Sequence, residues 1–594
     1  MNILLVAINA KYIHSNPAVF SLKSCTGEYE SYVDILEFTI NQQGSFILRE
    51  IYKKHPDVVA FSCYIWNYTV IDNIIPDLHK ILPNTDIWVG GPEVSYDADE
   101  VIKRWKLRGV MIGPGEGIFR HLVSSYVQNV SDKLSAILDG KNTHKLSLNE
   151  IPFWYQDLKD YEHRIIYYES SRGCPFSCSY CLSSIDKTMD FRSVERVCKD
   201  LDFFLEKKVP QVKFVDRTFN CKKDHALPIL KHILEHDNGA TNFHFEVAAD
   251  LLDDDYFELL EKMRPGAVQL EIGVQSTYRK TIDAIDRKMD FDRVAAAVRR
   301  IIEQDNIHVH LDLIVGLPYE DLRTFQNSFN DVYTLCPEQL QLGFLKVLKG
   351  SNMELRASEY ELAYTSLPPY EVLSTKWLSY EDICHLKGVE EVLEIYYNSG
   401  QFYNALEYLC TYFETPYDMY DYIAVWYEEH NLFGIQSSRV QKYEILLECG
   451  TNHINSCMGS GLLAKRAAKF HLSTNYVISV FKEYLTCDLY LREHMKNRPS
   501  FCSSLDQWKD EIRDILYEES KTHALFPILS DCNYRELTKA LHVEVFEYFS
   551  DCPTAMVFCY EKRNPLSKNC MVRYMTIAKS ETKTNMEGDK KHEN

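Results

Sequence analysis

The chain has 594 residues, too many for one hydrophobic core, so three or four domains are expected. Its formal charge of -21 excludes a surface that coats nucleic acid, which needs excess Lys and Arg to displace counterions from phosphates. MNILLVAIN is too short for a secretory core, and no stretch approaches the roughly 18 apolar residues needed to span a bilayer, so a cytoplasmic protein with no membrane or nucleic-acid partner is expected. The 18 cysteines are scattered and read mostly as reduced core thiols.

Residues 1–140 alternate strands and helices. NILLVAIN, YVDILEFT, DVVAFSCYIW, DIWVGG and GVMIGPGE are nearly continuous apolar runs, as in parallel strands buried on both faces. Between them, FILREIYKKH, VIDNIIPDLHKIL, DADEVIKRWK and GIFRHLVSSYV repeat apolar residues at helical spacing. This is a doubly wound, Rossmann-like α/β domain, which binds ligands beyond the carboxyl ends of its strands. Those ends carry Ser62, Tyr64, Gly90, Gly91, Gly113 and Gly115.

A polar linker is read over 141–164. The alternation resumes from IIYYESSRG with strands at QVKFVDRTF, NFHFEVAAD, AVQLEIGVQS, HVHLDLIVGLP and QLQLGFLKVL, which predicts a partial (β/α)6 TIM-like barrel over 165–352. A connector (353–380) leads to a mainly α domain at 381–565, rich in Tyr, Leu and Glu. Its aromatic side chains suit either an aromatic pocket or a Tyr-rich core. Residues 566–594 are too polar to offset the entropy of ordering and are expected to form a disordered tail.

Within the barrel segment, RGCPFSCSYCL sets Cys174, Cys178 and Cys181 in a C-x3-C-x2-C array with Tyr180 before the last thiol. Structural zinc needs four ligands, which would require His163 or a more distant residue. An iron-sulfur cluster held by three cysteines instead leaves one iron open to another ligand.

The array, in its strand-then-loop setting, resembles the signature of the radical S-adenosylmethionine (SAM) superfamily. The resemblance implies a 4Fe-4S cluster on Cys174, Cys178 and Cys181, with SAM chelated by the open iron and reductively cleaved to a 5′-deoxyadenosyl radical. Similarity to the oxygen-independent coproporphyrinogen oxidases further implies SAM contacts from Tyr168, Thr218, Glu246, Gln275, Arg287 and Asp312. At 216–218, however, this chain has DRT where that family has glycines.

A doubly wound domain ahead of such a barrel resembles the cobalamin-binding domain of the cobalamin-dependent radical SAM class. The matching stretches are SCYIWN, VGGPEVS and GPGEG, which implicate Ser62, Tyr64, Gly91, Glu93, Gly115 and Glu116. A nucleotide-binding domain is the rival, but the first turn reads NAKYIHSNP, without GxGxxG. D-x-H-x-x-G, whose histidine replaces the lower base of cobalt in other cobalamin domains, is also missing. Base-off binding with a weak or absent protein ligand is therefore expected; His14 reads as a satisfied loop residue, and Ser62, Tyr64 or Trp66 could border the lower face.

What these resemblances imply is methyl transfer to an unactivated carbon or a phosphinate phosphorus, with a small-molecule or peptide substrate and an electron donor such as flavodoxin or ferredoxin. The alternatives are a radical cyclase of the anaerobic magnesium-protoporphyrin monomethyl ester type, a methylthiotransferase, and a non-catalytic cobalamin or iron-sulfur sensor.

Overall fold

The computed structural model describes residues 1–141, 145–459, 473–548, 550 and 552–578. The chain divides into two compact units, Met1–Leu386 and Lys387–Asn594.

In the first unit, six parallel strands form an N-terminal sheet: β1 (Ile3–Asn9), β2 (Val33–Thr39), β3 (Val58–Ser62), β4 (Asp86–Gly90), β5 (Gly109–Ile112) and β6 (Ile137–Asp139), in spatial order β2-β1-β3-β4-β5-β6. Ile3 to Ile8 are almost wholly buried because both sheet faces carry helices. One face packs Val6, Val59 and Val89 against α2 (Gly44–Lys53), α3 (Tyr68–Ile81) and α4 (Ala98–Trp105). The other packs Leu5, Ala60 and Met111 against α1 (Pro17–Ser24) and α5 (Gly115–Val127). Two details depart from the sequence reading. The first loop, NAKYIHSNP, runs into α1, where Asn16 accepts a hydrogen bond from Val19 N and Pro17 occupies the first helical turn. The polar stretch after α5 holds β6, three residues too short to show a period.

A second sheet in the same unit is also parallel and strictly sequential: β7 (Ile166–Tyr168), β8 (Gln211–Phe214), β9 (Asn242–Glu246), β10 (Val268–Gln275), β11 (His308–Val315) and β12 (Gln339–Phe344). Helices α6 (Val194–Glu206), α7 (Lys223–Glu235), α8 (Asp254–Leu260), α9 (Arg279–Ala284), α10 (Phe291–Ile302) and α11 (Leu322–Tyr333) intervene. Ser193, Asp290 and Asp321 cap α6, α10 and α11 through their side chains, each worth about 1 kcal/mol. Sequential order without a return strand makes this a partial barrel.

Alternation along these strands sorts polarity. Val268, Leu270, Ile272 and Val274 of β10 face the helices, while Gln269, Glu271, Gly273 and Gln275 face the concave side. Register aligns Lys213 with His244 and Glu271 with His310 across neighbouring strands. An ordinary barrel lumen is filled by branched aliphatics, whereas this one is lined with charge.

The two domains of this unit are joined by named contacts. Ile165 N donates to Ile13 O (2.9 Å), and Arg164 pairs with Glu37 (2.6 Å). Arg172 pairs with Glu116 (2.8 Å), and Lys349 with Asp97 (2.8 Å) and Glu93 (3.2 Å). The expected linker is built into this junction, with Leu148, Ile151 and Tyr155 buried.

The second unit holds α12 (Tyr403–Cys410), α13 (Pro416–Glu429), α14 (Arg439–Gly459), α15 (Thr474–Arg492), α16 (Lys509–Thr522) and α17 (Tyr534–Ala540). Tyrosine fills its core: Tyr396, Tyr417, Tyr420, Tyr443 and Tyr490 are all buried, and Tyr443 donates to Gln401 O at 2.7 Å. Asp488 caps α12 by accepting from Ala405 N (2.9 Å), and burial pushes its acid up to about 7. A three-stranded antiparallel sheet follows, β13 (Leu541–Phe546), β14 (Thr554–Arg563) and β15 (Cys570–Thr576). The last strand corrects the expected tail: β14 supplies the partner that its polar sequence lacks alone. The remainder of that tail, 579–594, lies outside the described residues.

Candidate functional site

The three cysteines lie on the loop after β7, between the short paired strands Ser171–Arg172 and Asp190–Phe191. Gly173 opens the loop at φ 100°, and a Cβ there would sit 2.3 Å from Thr188 O, so only glycine fits. Cys174 and Cys178 are buried and Cys181 is half-buried; Cys181 N donates to Cys178 O at 3.1 Å. Among the described residues, no three His, Cys, Asp or Glu side chains converge closely enough for a single metal ion. Three thiols on one loop suit a cluster, in which each sulfur takes its own iron.

Two expected SAM residues lie beside this loop. Thr218 Oγ1 lies 3.8 Å from Cys174 Sγ. The Arg287 guanidinium is half-buried and stands 3.6 Å from Cys178 Sγ and 3.5 Å from the Tyr180 hydroxyl, while donating to Gly273 O. Gln275 holds φ 73°, and its Oε1 is buried without a hydrogen-bond partner. Asp312 lies 3.0 Å from His310 Nε2, a distance for an ion pair but not aligned as a hydrogen bond. Burial raises the Asp312 acid. Glu246, at the end of β9, makes no side-chain hydrogen bond among the described residues, and burial pushes its acid up to about 7. These unmet polar atoms, at the ends of β9 and β10 and within β11, fit the ammonium, ribose hydroxyl and adenine amino groups of a SAM molecule.

Tyr168 is a correction. It faces the helices, donating to Asp200 of α6 at 2.9 Å within a cluster of Phe204 and Phe214. Period-2 alternation puts Tyr167 on the concave side instead, where its hydroxyl meets His14 Nδ1 at 2.6 Å. His14 is thus a satisfied loop histidine that ties the N-terminal domain to β7.

Deeper in the barrel, Glu271 lies 3.0 Å from Lys213 Nζ and 2.9 Å from His244 Nε2. Burial alone would raise the Glu271 acid, but these partners outweigh it and bring it down to about 2. The lumen charges are legible in the sequence as the alternating HVHLD, VQLE and NFHFE; only their meeting is new.

Against the N-terminal domain lies a cavity of about 720 Å3, lined on that side by Ser62, Tyr64, Gly91, Gly115 and Glu116, and on the barrel side by Arg172, Leu182, Ser183 and Arg217. Its floor, formed by Leu5, Ala60 and Met111, descends into the N-terminal core. Gly91 holds φ 116°, where a Cβ would stand 2.3 Å from Cys63 O. The cavity is roomy, apolar at its floor and open at the strand ends, which fits a corrin with its nucleotide tail displaced. Tyr64 stacks on Trp66 (4.3 Å, 7°), whose Nε1 donates to Ile8 O; Trp66 does not line the cavity.

The two acids expected to touch cobalamin have other work. Glu93 does not line the cavity: it pairs with Lys349 and accepts from the Tyr370 hydroxyl. Glu116 reaches the cavity wall but is held by both Arg172 amino groups and by Ser21 Oγ. Burial would raise the Glu116 acid, yet Arg172 keeps it below the usual carboxylate range. Sequence reading missed Arg172 and Lys349 because a long-range ion pair has no local period. Among the described residues no helix is long and apolar enough to cross a membrane.

Three family models match the chain: the B12 binding domain over residues 3–123, the radical SAM superfamily over 168–332, and a protein family of unknown function, DUF4080, over 358–556. The cobalamin-dependent radical SAM methyltransferase TokK of Streptomyces tokunonensis is 24% identical over 311 residues, covering 47% of this chain and 45% of that protein. The hopanoid C-3 methylase of Methylococcus capsulatus is 24% identical over 267 residues, covering 41% and 50%. The chain thus spans about half the length of these curated relatives.

Among solved structures, the cobalamin-dependent SAM radical enzyme OxsB with aqua-cobalamin superposes with a TM-score of 0.55 at 14% identity, covering 82% of this chain and 80% of that one. TsrM from Kitasatospora setae with cobalamin and a [4Fe-4S] cluster gives 0.53 at 15%, covering 64% and 82%. These likenesses establish the fold. Cobalamin, a 4Fe-4S cluster and SAM are the cofactors implied by the two matched cofactor domains, and the cavity and thiol loop fit them. With a cavity walled in part by the very loop that carries the three thiols, the chain combines a B12 binding domain, a radical SAM superfamily domain and a DUF4080 domain in that order.

Proposed function

We propose that the protein is a cobalamin-dependent radical SAM methyltransferase acting on an unactivated carbon, or on a phosphinate phosphorus, of a small-molecule or peptide substrate. One observation carries the reading: the cavity at the N-terminal strand ends shares its wall with the cysteine loop, through Arg172, Leu182 and Ser183. A substrate between them reaches both sides. When bound, the cluster with SAM supplies a 5′-deoxyadenosyl radical and cobalamin a transferable methyl group.

The chain's own residues hold, orient and shield. Cys174, Cys178 and Cys181 hold the cluster, and Thr218 and Arg287 flank its sulfurs. Glu246, Gln275 and Asp312 orient SAM through polar atoms that the protein itself leaves unmet. Ser62, Tyr64, Gly91 and Gly115 border the corrin. Arg172, held by Glu116 and Glu169, locks the cysteine loop to the N-terminal domain and keeps solvent from the junction. The electron donor is of the flavodoxin or ferredoxin class.

The test is anaerobic reconstitution of the full chain with iron, sulfide and hydroxocobalamin, followed by SAM and dithionite. Release of both 5′-deoxyadenosine and S-adenosylhomocysteine supports methyl transfer. Deoxyadenosine alone, with an oxidised, cyclised product, supports the cyclase alternative. Release of neither from fully loaded protein refutes the enzyme reading in favour of a sensor.

A further inference from the structure

Several cations at the junction of the two N-terminal domains are paired with acids. Arg172 pairs with Glu116 and Glu169, Lys349 with Glu93 and Asp97, Arg164 with Glu37, and Lys213 with Glu271. Arg217 has no side-chain hydrogen bond or ion pair among the described residues, and it is exposed.

Its position is unusual in a second way. Arg217 lines the 720 Å3 cavity of the N-terminal domain and also a neighbouring cavity of about 320 Å3 behind the cysteine loop. It is close enough to Tyr64 on one side and Glu246 on the other to act on the ionisation of both. The turn that carries it is rigid. Asp216 is fully buried and accepts from Ser170 N and Oγ, and Thr218 Oγ1 donates back to Arg217 O. The backbone is thus anchored and only the guanidinium is uncommitted. Where the coproporphyrinogen oxidase pattern has glycines, this chain has added a side chain.

A hydrated guanidinium is a ready receptor for a planar or tetrahedral oxyanion, which it takes through two parallel N–H donors. We propose that Arg217 binds an oxyanion of the substrate, a carboxylate or a phosphorus oxyacid group, and thereby holds the substrate between the corrin cavity and the mouth of the barrel. The inference rests on the proposed methyltransferase reading for the location of the substrate. It adds the charge class: the acceptor molecule is an anion. The amide side chains of cobalamin are neutral; the phosphodiester of its nucleotide tail is its one anionic group, and a contact between that group and Arg217 would show as lost cobalamin affinity in Arg217→Gln.

The experiment uses the full chain loaded with cluster, cobalamin and SAM, titrated calorimetrically with sodium acetate and, separately, inorganic phosphate, at constant ionic strength made up with chloride. The expected result is binding of at least one anion that Arg217→Gln weakens by about tenfold or more and Arg217→Lys by a smaller factor, with cobalamin and SAM affinities kept within about twofold. Preference for acetate assigns a carboxylate, and preference for phosphate a phosphorus oxyacid. Failure of the wild type to bind either anion, or anion affinity unchanged in Arg217→Gln, overturns the proposal. So does a tenfold loss of cobalamin or SAM affinity in that variant, which makes Arg217 a cofactor contact. The deoxyadenosine assay runs beside it: SAM cleavage without anion binding refutes only the Arg217 site, whereas Arg217-dependent anion binding without SAM cleavage refutes only the methyltransferase reading.

Discussion

Replacing Glu246 by Gln tests the electrostatics of the barrel mouth without changing its shape. Burial lifts the Glu246 acid from an ordinary 4.5 to about 7 in the folded chain. The native state therefore holds this proton more tightly than the unfolded state, and ionisation is a cost that grows as pH rises from about 4.5 through about 7. The shift corresponds to about 3.4 kcal/mol, and because the side chain retains some contact with solvent the expected penalty above pH 8 is about 2–3 kcal/mol. Glu246→Gln removes it. Urea denaturation of the cofactor-free chain, followed by circular dichroism, should show the variant equal to wild type within about 0.5 kcal/mol at pH 4 and more stable by about 2–3 kcal/mol at pH 8. Other raised acids, such as Glu320 and Asp488, are common to both proteins and cancel in the difference. An equal effect at both pH values, or a destabilised variant at pH 8, would refute the buried-acid account. SAM binding should show the complementary trend, tightening in wild type as pH rises through about 7 and losing that dependence in Glu246→Gln.

Substituting any one of Cys174, Cys178 or Cys181 by Ala should abolish the brown chromophore and the stoichiometric iron of the reconstituted protein, and cobalamin affinity should survive within about threefold, because the corrin cavity is built mainly by the other domain. Gly91→Ala must clash with Cys63 O at a φ of 116°; a loss of about 2–4 kcal/mol is expected, with cobalamin affinity reduced, and an unchanged denaturation midpoint would show that the loop relaxes. Arg172→Met leaves the buried Glu116 carboxylate without its cation and should cost about 3 kcal/mol in urea; the Arg172→Met, Glu116→Gln double variant should recover at least half of that, and no recovery would argue against the pair.

Much of the fold was legible because its signals are local. Apolar runs of four to eight residues separated by helical periods specify parallel strands with crossovers wherever both faces are covered, and they located the parallel strands of the first unit except β6 and most of its helices, though not α1, α9 or α11. The signal failed where an element is short or depends on a distant partner: β6 with three residues, α1 hidden behind a loop-like NAKYIHSNP, and β15, which exists by pairing with β14. The cysteine loop was legible for the same reason of locality, its three ligands falling within eight residues.

By itself, then, the chain's order of residues determined three things: the strand–helix alternation, the thiol spacing, and the alternating charge of the barrel lumen. Tertiary structure decided which side chains are available. It turned Tyr168 away from the site and Tyr167 toward it, consumed Glu93 and Glu116 in ion pairs with Lys349 and Arg172, and, among the described residues, left Glu246 without a hydrogen bond and Arg217 unpaired between two cavities. The physical reason is that periodicity sets which face a residue occupies, whereas the partner of a charge is fixed by contacts tens to hundreds of residues away. Reading such a partnership requires the folded chain.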